Sequence, residues 1–409
     1  MSRLAGQEAV ASPLWKPSVR LALALVGVTL FGYLLFNYYR VGDDLYAWSK
    51  TLASWDLRQH LGMSKRWAMQ YGHLAFLFVL LVLSKYVLVS DRPAGLVSRL
   101  VKLIDPYTLP VFIFHFPLLY FFAALTGHNP NDSGDRILLF AAVLASCIVL
   151  GKLCYLVKPV FDRLRNHVSA RLAASSAAGK EVRVEASPLT STHSDCLRLL
   201  RLIATLSIFY GHFTFAQFSA VMLPGFDHWR RWAVPFFFMV AGYFAMRSLA
   251  RRSNGILADI WNRYTSLWFV ALPMLLVVPV LDHIGFDLDP LLYYLHTKFV
   301  TPSEGGPADL AGFLWTLFNS LLYLNEIFFY DWLGLGTELG GVRAFSNDSY
   351  WFLSYLMPFT AMLVVMVNVT GPRKYLWLLF LALFFGPPIL MLASLFFAGC
   401  LAYLIHQRV

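Results

Sequence analysis

An arginine and a histidine in one apolar run have the types and the spacing to do chemistry. Arg201 and His212 are separated by ten mostly apolar residues. On a helix, eleven steps of roughly 100° bring the two side chains to within about 20° of one face, about 16 Å apart along the axis. An ionisable group at the centre of a bilayer is costly, about 2.5 to 3.5 kcal/mol for a charge, so such a residue indicates a function.

His212 is the candidate catalytic residue. Burial favours the neutral imidazole, which can take a proton from an attacking hydroxyl, and general-base help of this kind contributes about 10² to 10⁴ in rate. Arg201 keeps its charge, and its planar fork of donors suits phosphate groups. The structural alternative is that His212 bonds a neighbouring helix while Arg201 reaches lipid phosphate.

The elements that must position these residues are membrane helices. Of the 409 residues, 58% are apolar, 16% aromatic and only 14% charged, which is far from the composition of soluble proteins. Runs of about 20 mostly apolar residues, each long enough to cross a bilayer, recur from Leu21 to Tyr403. The sequence predicts an all-α, polytopic bundle of about ten transmembrane helices. The stretch 375–406 counts as two spans if the chain reverses at Gly386-Pro387-Pro388, and as one if it only kinks there.

The net charge of +10 is concentrated in short loops between apolar runs. This is the positive-inside distribution of a membrane protein and does not indicate nucleic-acid binding. It predicts that both termini are cytoplasmic, together with four basic segments: 85–102, 158–201, 247–263 and 373–374. The long segment 283–349 is predicted to lie outside, and its apolar part 311–330 to be re-entrant or to lie in the outer interface.

Residues 160–197 differ in kind from the apolar runs on either side. They are small, polar and aperiodic, which predicts a flexible cytoplasmic linker. This linker divides the chain into residues 1–159, with four predicted helices, and residues 198–409, with about six. No metal-ligand spacing and no nucleotide-binding loop is found in the sequence.

Two neighbouring elements resemble the acyltransferase 3 family of membrane O-acyltransferases. They are the Arg201–His212 span and the aromatic-rich helix 232–244, which reads Trp-Ala-Val-Pro-Phe-Phe-Phe-Met-Val-Ala-Gly-Tyr-Phe. Three weaker elements agree: 262–267 as a basic cytoplasmic motif, the run Trp351-Phe352-Leu353, and 112–117, which reads Phe-Ile-Phe-His-Phe-Pro. Ser266 stands where the family has a second arginine.

The order of these elements departs from the family, because the run 112–117 comes before His212 in this chain. Residues 1–159 resemble the C-terminal part of such a bundle and residues 198–409 its N-terminal part. The chain is therefore similar to a circularly permuted family member joined through the linker 160–197. The rival interpretation is a fusion of two incomplete parts that pair between the protomers of a homodimer.

The resemblance implies an integral O-acyltransferase of the bacterial inner membrane. Such an enzyme would transfer an acyl group from cytoplasmic acyl-CoA to a hydroxyl of a glycan or lipid-linked saccharide. The expected acyl group is acetyl. It would need no bound cofactor and no metal, and acyl-CoA would be its co-substrate. The competing function class is a secondary transporter or flippase without covalent chemistry. Many transporters carry internal repeats, and none is visible between 20–158 and 198–406.

The resemblance also assigns roles to individual residues. His212 would be the general base or a covalent carrier of the acyl group. The donor would be bound by four arginines: Arg201, Arg263, Arg251 and Arg252. Three further side chains are candidates for the cavity wall: His115, Tyr243 and Trp351. For His115 the alternative is a hydrogen bond within the bundle.

Overall fold

The computed structural model describes residues 18–52, 62–88, 95–175, 190–219, 221, 230–251, 255–296, 310–327 and 344–408. Within these ranges the regular structure is entirely helical, and nine helices are long and apolar enough to cross a membrane. The predicted fold class, an all-α polytopic membrane helix bundle, is confirmed.

The α-helices are numbered here in chain order. They are α1 Val19–Tyr38, α2 Val41–Ser49, α3 Trp67–Val87, α4 Leu96–Ile104, α5 Thr108–Thr126, α6 Ser133–Ser175, α7 Ser191–Phe213, α8 Ala233–Arg251, α9 Ile256–Thr265, α10 Trp268–Leu288, α11 Pro290–His296, α12 Leu310–Leu321, α13 Trp351–Asn368 and α14 Arg373–Arg408. Short 3₁₀ turns precede α3, α5, α8 and α13.

The last helix, α14, is broken at Gly386, whose φ of 78° and ψ of 179° are not helical. Just after the break, the Pro388 carbonyl accepts a hydrogen bond from Ser64, in the 3₁₀ turn that precedes α3. Near its end, the His406 carbonyl accepts one from Lys85 at the other end of α3. The segment after the break therefore runs parallel to α3 along its whole length.

The segment before the break runs the opposite way. Asn368, which precedes α14, donates from Nδ2 to Asp259 of α9 at 3.3 Å. Because α9 follows the end of α8, and Tyr243 of α8 bonds His406 at 2.9 Å, Asp259 and His406 lie at the same end of the bundle. The chain thus enters and leaves α14 at that end and reverses at Gly386, which favours the two-span alternative for this stretch.

Helices α8 and α14 cross with their backbones in close contact at two glycines. A Cβ added to Gly242 would lie 1.9 Å from the Phe396 carbonyl oxygen, and one added to Gly399 would lie 1.7 Å from the Met239 carbonyl oxygen. Small residues allow membrane helices to approach this closely. The crossing packs the aromatic-rich run 232–244 against the second arm of α14.

The outer segment contains a helix that returns into the bundle. α12 has 12 residues, about 18 Å, which is too short to cross a hydrocarbon core of about 30 Å. Its last carbonyl, at Leu321, accepts a hydrogen bond of 3.2 Å from Trp268, the first residue of α10. Since the chain leaves α10 at Leu288, it has come back along the length of that helix. This contact favours the re-entrant alternative for 311–330.

The linker predicted at 160–197 is helical at both ends. α6 continues to Ser175 and α7 begins at Ser191, while residues 176–189 lie outside the described ranges. Two hydrogen bonds from α9 hold the extension of α6: Trp261 donates to the Arg165 carbonyl at 3.2 Å and Asn262 to the Ser169 hydroxyl at 2.8 Å. Hydropathy does not reveal the extension of α6, because the helix continues into polar residues beyond the apolar run.

Candidate functional site

The two predicted site histidines are brought together by α5 and α7. His115 is completely buried, and its Nε2 lies 2.7 Å from Nδ1 of His212. The rings are nearly parallel, with centroids 5.0 Å apart and planes 10° apart. The edge of Phe116 packs against His212 at a centroid distance of 4.8 Å.

The hydrogen bonds of this pair determine which nitrogen atoms carry protons. Nδ1 of His115 lies 2.9 Å from the Val111 carbonyl oxygen, and a carbonyl oxygen can only accept, so this nitrogen is the donor. Neutral His115 then accepts at Nε2 from the Nδ1–H of His212. The lone pair of neutral His212 is consequently on Nε2, the nitrogen that a general base would use.

Helix α7 ends one residue after His212. The hydroxyl of Thr214 donates to the Gly211 carbonyl at 2.9 Å, and the Phe215 amide donates to the His212 carbonyl at 3.1 Å. These bonds satisfy carbonyls at the helix end. Irregular backbone inside a membrane protein is tolerated where it is buried or lines a cavity. Thr214, Phe218 and Ser219 are buried, whereas Ala216 is exposed.

His212 lines a cavity of about 320 Å³. The wall is aromatic near the histidine and polar at the mouth; its residues include Phe112, Phe215, Phe237, Trp351, Phe352, Gln70, Ser349, Asp348, Lys65, Arg66 and Arg231. Of the candidate wall residues, Trp351 lies here. His115 instead supports His212 from behind, and buried Tyr243 bonds Nδ1 of His406.

The segment before α13 is held over this cavity by a buried carboxylate. Asp282 of α10 accepts hydrogen bonds from the Ser346 amide at 3.0 Å and from the Ser346 hydroxyl at 2.5 Å. The next residue, Asn347, donates to the Ile113 carbonyl of α5 at 2.9 Å. These contacts fix Asp348 and Ser349 in the wall. In the sequence, the only signal for Asp282 is an acid at the end of an apolar run.

Arg201 is ion-paired with Asp105, in the 3₁₀ turn between α4 and α5. Arg198 lies 3.9 Å from the other oxygen of the same carboxylate. The Arg201 side chain is 35% exposed, and its Nε–H has no hydrogen-bond partner. Sequence reasoning missed Asp105, whose signal is a carboxylate beside Pro106 between two apolar runs.

An apolar groove of about 480 Å³ lies between α5, α6 and α7, next to Arg201 along α7. Its wall includes Thr108 and Thr205, whose buried hydroxyls have no hydrogen-bond partner, and the exposed Lys152. Val111 also lines the groove, and its carbonyl bonds His115. The histidine pair therefore lies between the groove, on the His115 side, and the cavity, on the His212 side.

The other predicted donor-binding arginines lie elsewhere. Arg263 lines a separate cavity of about 600 Å³ between α6 and α9 and donates to the Ala245 carbonyl at 3.3 Å. Burial lowers the pKa of Arg263, and the nearby Asp259 carboxylate opposes this shift. Arg251 is exposed at the end of α8, and Arg252 lies outside the described residues. The structure does not bring Arg201 and Arg263 into one cavity.

Across the described part of the chain, no group of three or more His, Cys, Asp or Glu side chains could hold a metal ion. No known protein family, no curated protein and no solved structure matches this chain.

Proposed function

We propose that this protein is an O-acyltransferase of the bacterial inner membrane, which moves an acyl group from cytoplasmic acyl-CoA to a hydroxyl of a glycan or lipid-linked saccharide. The observation that carries the proposal is the bonded pair of His115 and His212 at the wall of a cavity. A histidine whose Nδ1–H is held by a fixed acceptor, with its lone pair on Nε2, has the arrangement of a general base.

In the proposed reaction, Nε2 of His212 takes the proton of the acceptor hydroxyl while that oxygen attacks the thioester carbonyl carbon. The new C–O bond forms, the C–S bond breaks, and the thiolate takes the proton from the imidazolium to leave as free CoA. The Nδ1–H of His212 stays bonded to His115 throughout. Alignment by such a partner favours one tautomer and stabilises the imidazolium.

The donor is proposed to approach through the groove. CoA carries phosphates at one end and the thioester at the other, joined by an arm that contains amides. Lys152 supplies positive charge in the groove wall, and Arg201, which is paired with Asp105, lies next to the wall residue Leu202. The unpartnered hydroxyls of Thr108 and Thr205 can bond amides within the groove. Arg201 and His212 are about 16 Å apart along α7, a separation that suits a long, extended arm.

The proposal is tested with purified protein in lipid nanodiscs, radiolabelled acetyl-CoA and a panel of glycan acceptors. We expect His212→Ala to lower the transfer rate by about 10² or more, and Arg201→Ala mainly to raise the KM for acetyl-CoA. His128→Ala is the matched control. Nε2 of His128 lies 2.7 Å from the Phe218 carbonyl oxygen, and His128 is not part of the histidine pair. Transfer that is undiminished in His212→Ala would contradict the proposal.

A secondary transporter is the second candidate, and one pair of observations favours it. Transporters often build their sites from broken helices, and here α14 reverses at Gly386 while α12 re-enters the bundle. Proteoliposomes decide between the two candidates. Counterflow of an acidic sugar without any consumption of acetyl-CoA would favour transport, whereas acyl transfer dependent on His212 would favour the enzyme.

A further inference from the structure

Two buried polar groups without hydrogen-bond partners face the same cavity as His212. Gln70 of α3 is 7% exposed and Ser349 is 1% exposed; the side-chain oxygen of each has no partner, and both residues line the cavity. A buried polar atom left unpaired costs about 1 to 3 kcal/mol. A ligand hydroxyl can donate to the Gln70 oxygen, and a second ligand oxygen can bond the Ser349 hydroxyl.

The mouth of the cavity carries an excess of positive charge. Lys65 and Arg66, in the turn Gly62–Arg66 before α3, are exposed and form no ion pair with a described carboxylate; Arg66 lies over the Tyr46 ring, 5.9 Å from its centroid. The third cation of the wall, Arg231, is paired with Asp43, and Asp348 is the only acidic side chain in the described wall. Charge focused at a cleft attracts ligands of opposite sign.

We propose that the cavity binds the acyl acceptor as an anionic polyol, with Gln70 and Ser349 bonding hydroxyls next to the one that His212 deprotonates, and Lys65 and Arg66 bonding a phosphate or carboxylate. This inference rests on the proposed function and narrows its acceptor. A neutral sugar would form no ion pair with the two exposed cations at the mouth. A simple phosphate would leave Gln70 and Ser349 unpaired, so both parts of the ligand are required.

The same chemistry can come from a soluble sugar phosphate or from a lipid headgroup, so both sources are tested. In nanodiscs of phosphatidylcholine, binding is measured by isothermal titration with glucose 1-phosphate, glucose and inorganic phosphate, without any acyl donor. Native mass spectrometry then compares phosphatidylinositol with phosphatidic acid, which has the phosphate without a polyol, and with phosphatidylcholine. We expect glucose 1-phosphate, phosphatidylinositol or both to bind at least about tenfold tighter than the partial ligands of the same series.

Substitutions separate the two parts of the subsite. Lys65→Gln with Arg66→Gln should reduce the preference for glucose 1-phosphate over glucose by about tenfold. Gln70→Leu and Ser349→Ala should each weaken the binding of glucose 1-phosphate by about three- to tenfold, while the affinity for inorganic phosphate changes little. Lys374→Gln is the matched control, because Lys374 lies over the Tyr375 ring at the start of α14 and outside the cavity. Preserved thermal stability of each variant shows that it is folded.

The outcomes distinguish this inference from the proposed function. A preference confined to the lipid series assigns a lipid-borne acceptor, and one confined to the soluble series assigns a free acceptor. If neither series shows a preference, or if the preference survives Lys65→Gln with Arg66→Gln, the inference is overturned. Acetyl transfer to neutral sugars that depends on His212 would then leave the enzyme proposal standing, whereas anionic-polyol binding without acetyl transfer would leave only the subsite.

Discussion

At the scale of residues, the central relation is between two histidines with different tasks. His212 reaches the cavity, whereas His115 is completely buried and reaches it only through His212. The carbonyl of Val111 orients His115, which in turn holds the Nδ1–H of His212. His115 is thus a positioning residue in the proposed reaction, and its effect should appear in the rate of the chemical step.

We predict that His115→Phe lowers kcat for acetyl transfer by about 10² to 10⁴ and changes the KM for acetyl-CoA little. Phenylalanine keeps most of the ring volume but cannot accept the hydrogen bond from His212. The measurement is steady-state kinetics with radiolabelled acetyl-CoA, and His128→Phe is the control histidine. An unchanged kcat in His115→Phe would show that the pair is only structural.

At the scale of elements, the crossing of α8 and α14 fixes the centre of the bundle. It packs the aromatic run of α8 against the second arm of α14, and Tyr243 of α8 bonds His406 near the end of that arm. Gly242 and Gly399 permit this contact because neither carries a Cβ. In the sequence both glycines stand inside apolar helical runs, where only a close approach of another backbone requires them.

We predict that Gly399→Ala lowers the free energy of unfolding by about 1 to 3 kcal/mol, since the added methyl meets the Met239 carbonyl and must push the helices apart. Gly27→Ala is the matched control, because a Cβ there meets nothing within 4 Å. Thermal unfolding of the detergent-solubilised proteins measures both. Equal midpoints for the two variants would mean that the crossing tolerates separation.

At the scale of the whole molecule, both described ends of the chain lie on one face of the bundle. α1 runs antiparallel to α3, since Tyr33 bonds His73 at 2.8 Å while Gly32 faces Phe76, so Val19 lies near the end of α3 that holds Lys85. The second arm of α14 finishes at the same end. Between the two described ends the number of crossings is therefore even, and the positive-inside pattern predicts that this face is the cytoplasmic one.

This orientation can be tested with single cysteines in a background whose four native cysteines are replaced by alanine. We predict that three of them react with an impermeant maleimide only after the inner membrane is opened: Ser18→Cys, Thr370→Cys and Gln407→Cys. Asn131→Cys, in the turn between α5 and α6 at the opposite face, should react in cells whose outer membrane alone is permeable. Labelling of Thr370→Cys and Gln407→Cys on opposite sides would mean that α14 crosses once.

The sequence by itself determined that the bilayer is the main solvent of this chain, that the fold is helical, and that Arg201 and His212 share one helix face. These properties depend on local periodicity and on the length of apolar runs, which the bilayer sets directly. Composition also predicted an interrupted segment within 311–330 and a break at Gly386, although it left the path of the chain open at both places.

Only the tertiary structure decided which partners these residues meet. His115 and His212 stand 97 positions apart in the sequence. Gln70 lies in the first turn of α3 and Ser349 in the turn before α13, yet both line one cavity. Asp105 reaches Arg201 from a turn before α5. The reversal of α14 was likewise settled by contacts with α3 and α8. An apolar residue has the same hydropathy whether it faces lipid or another helix. Only the packing of the helices therefore fixes which polar groups converge on one cavity.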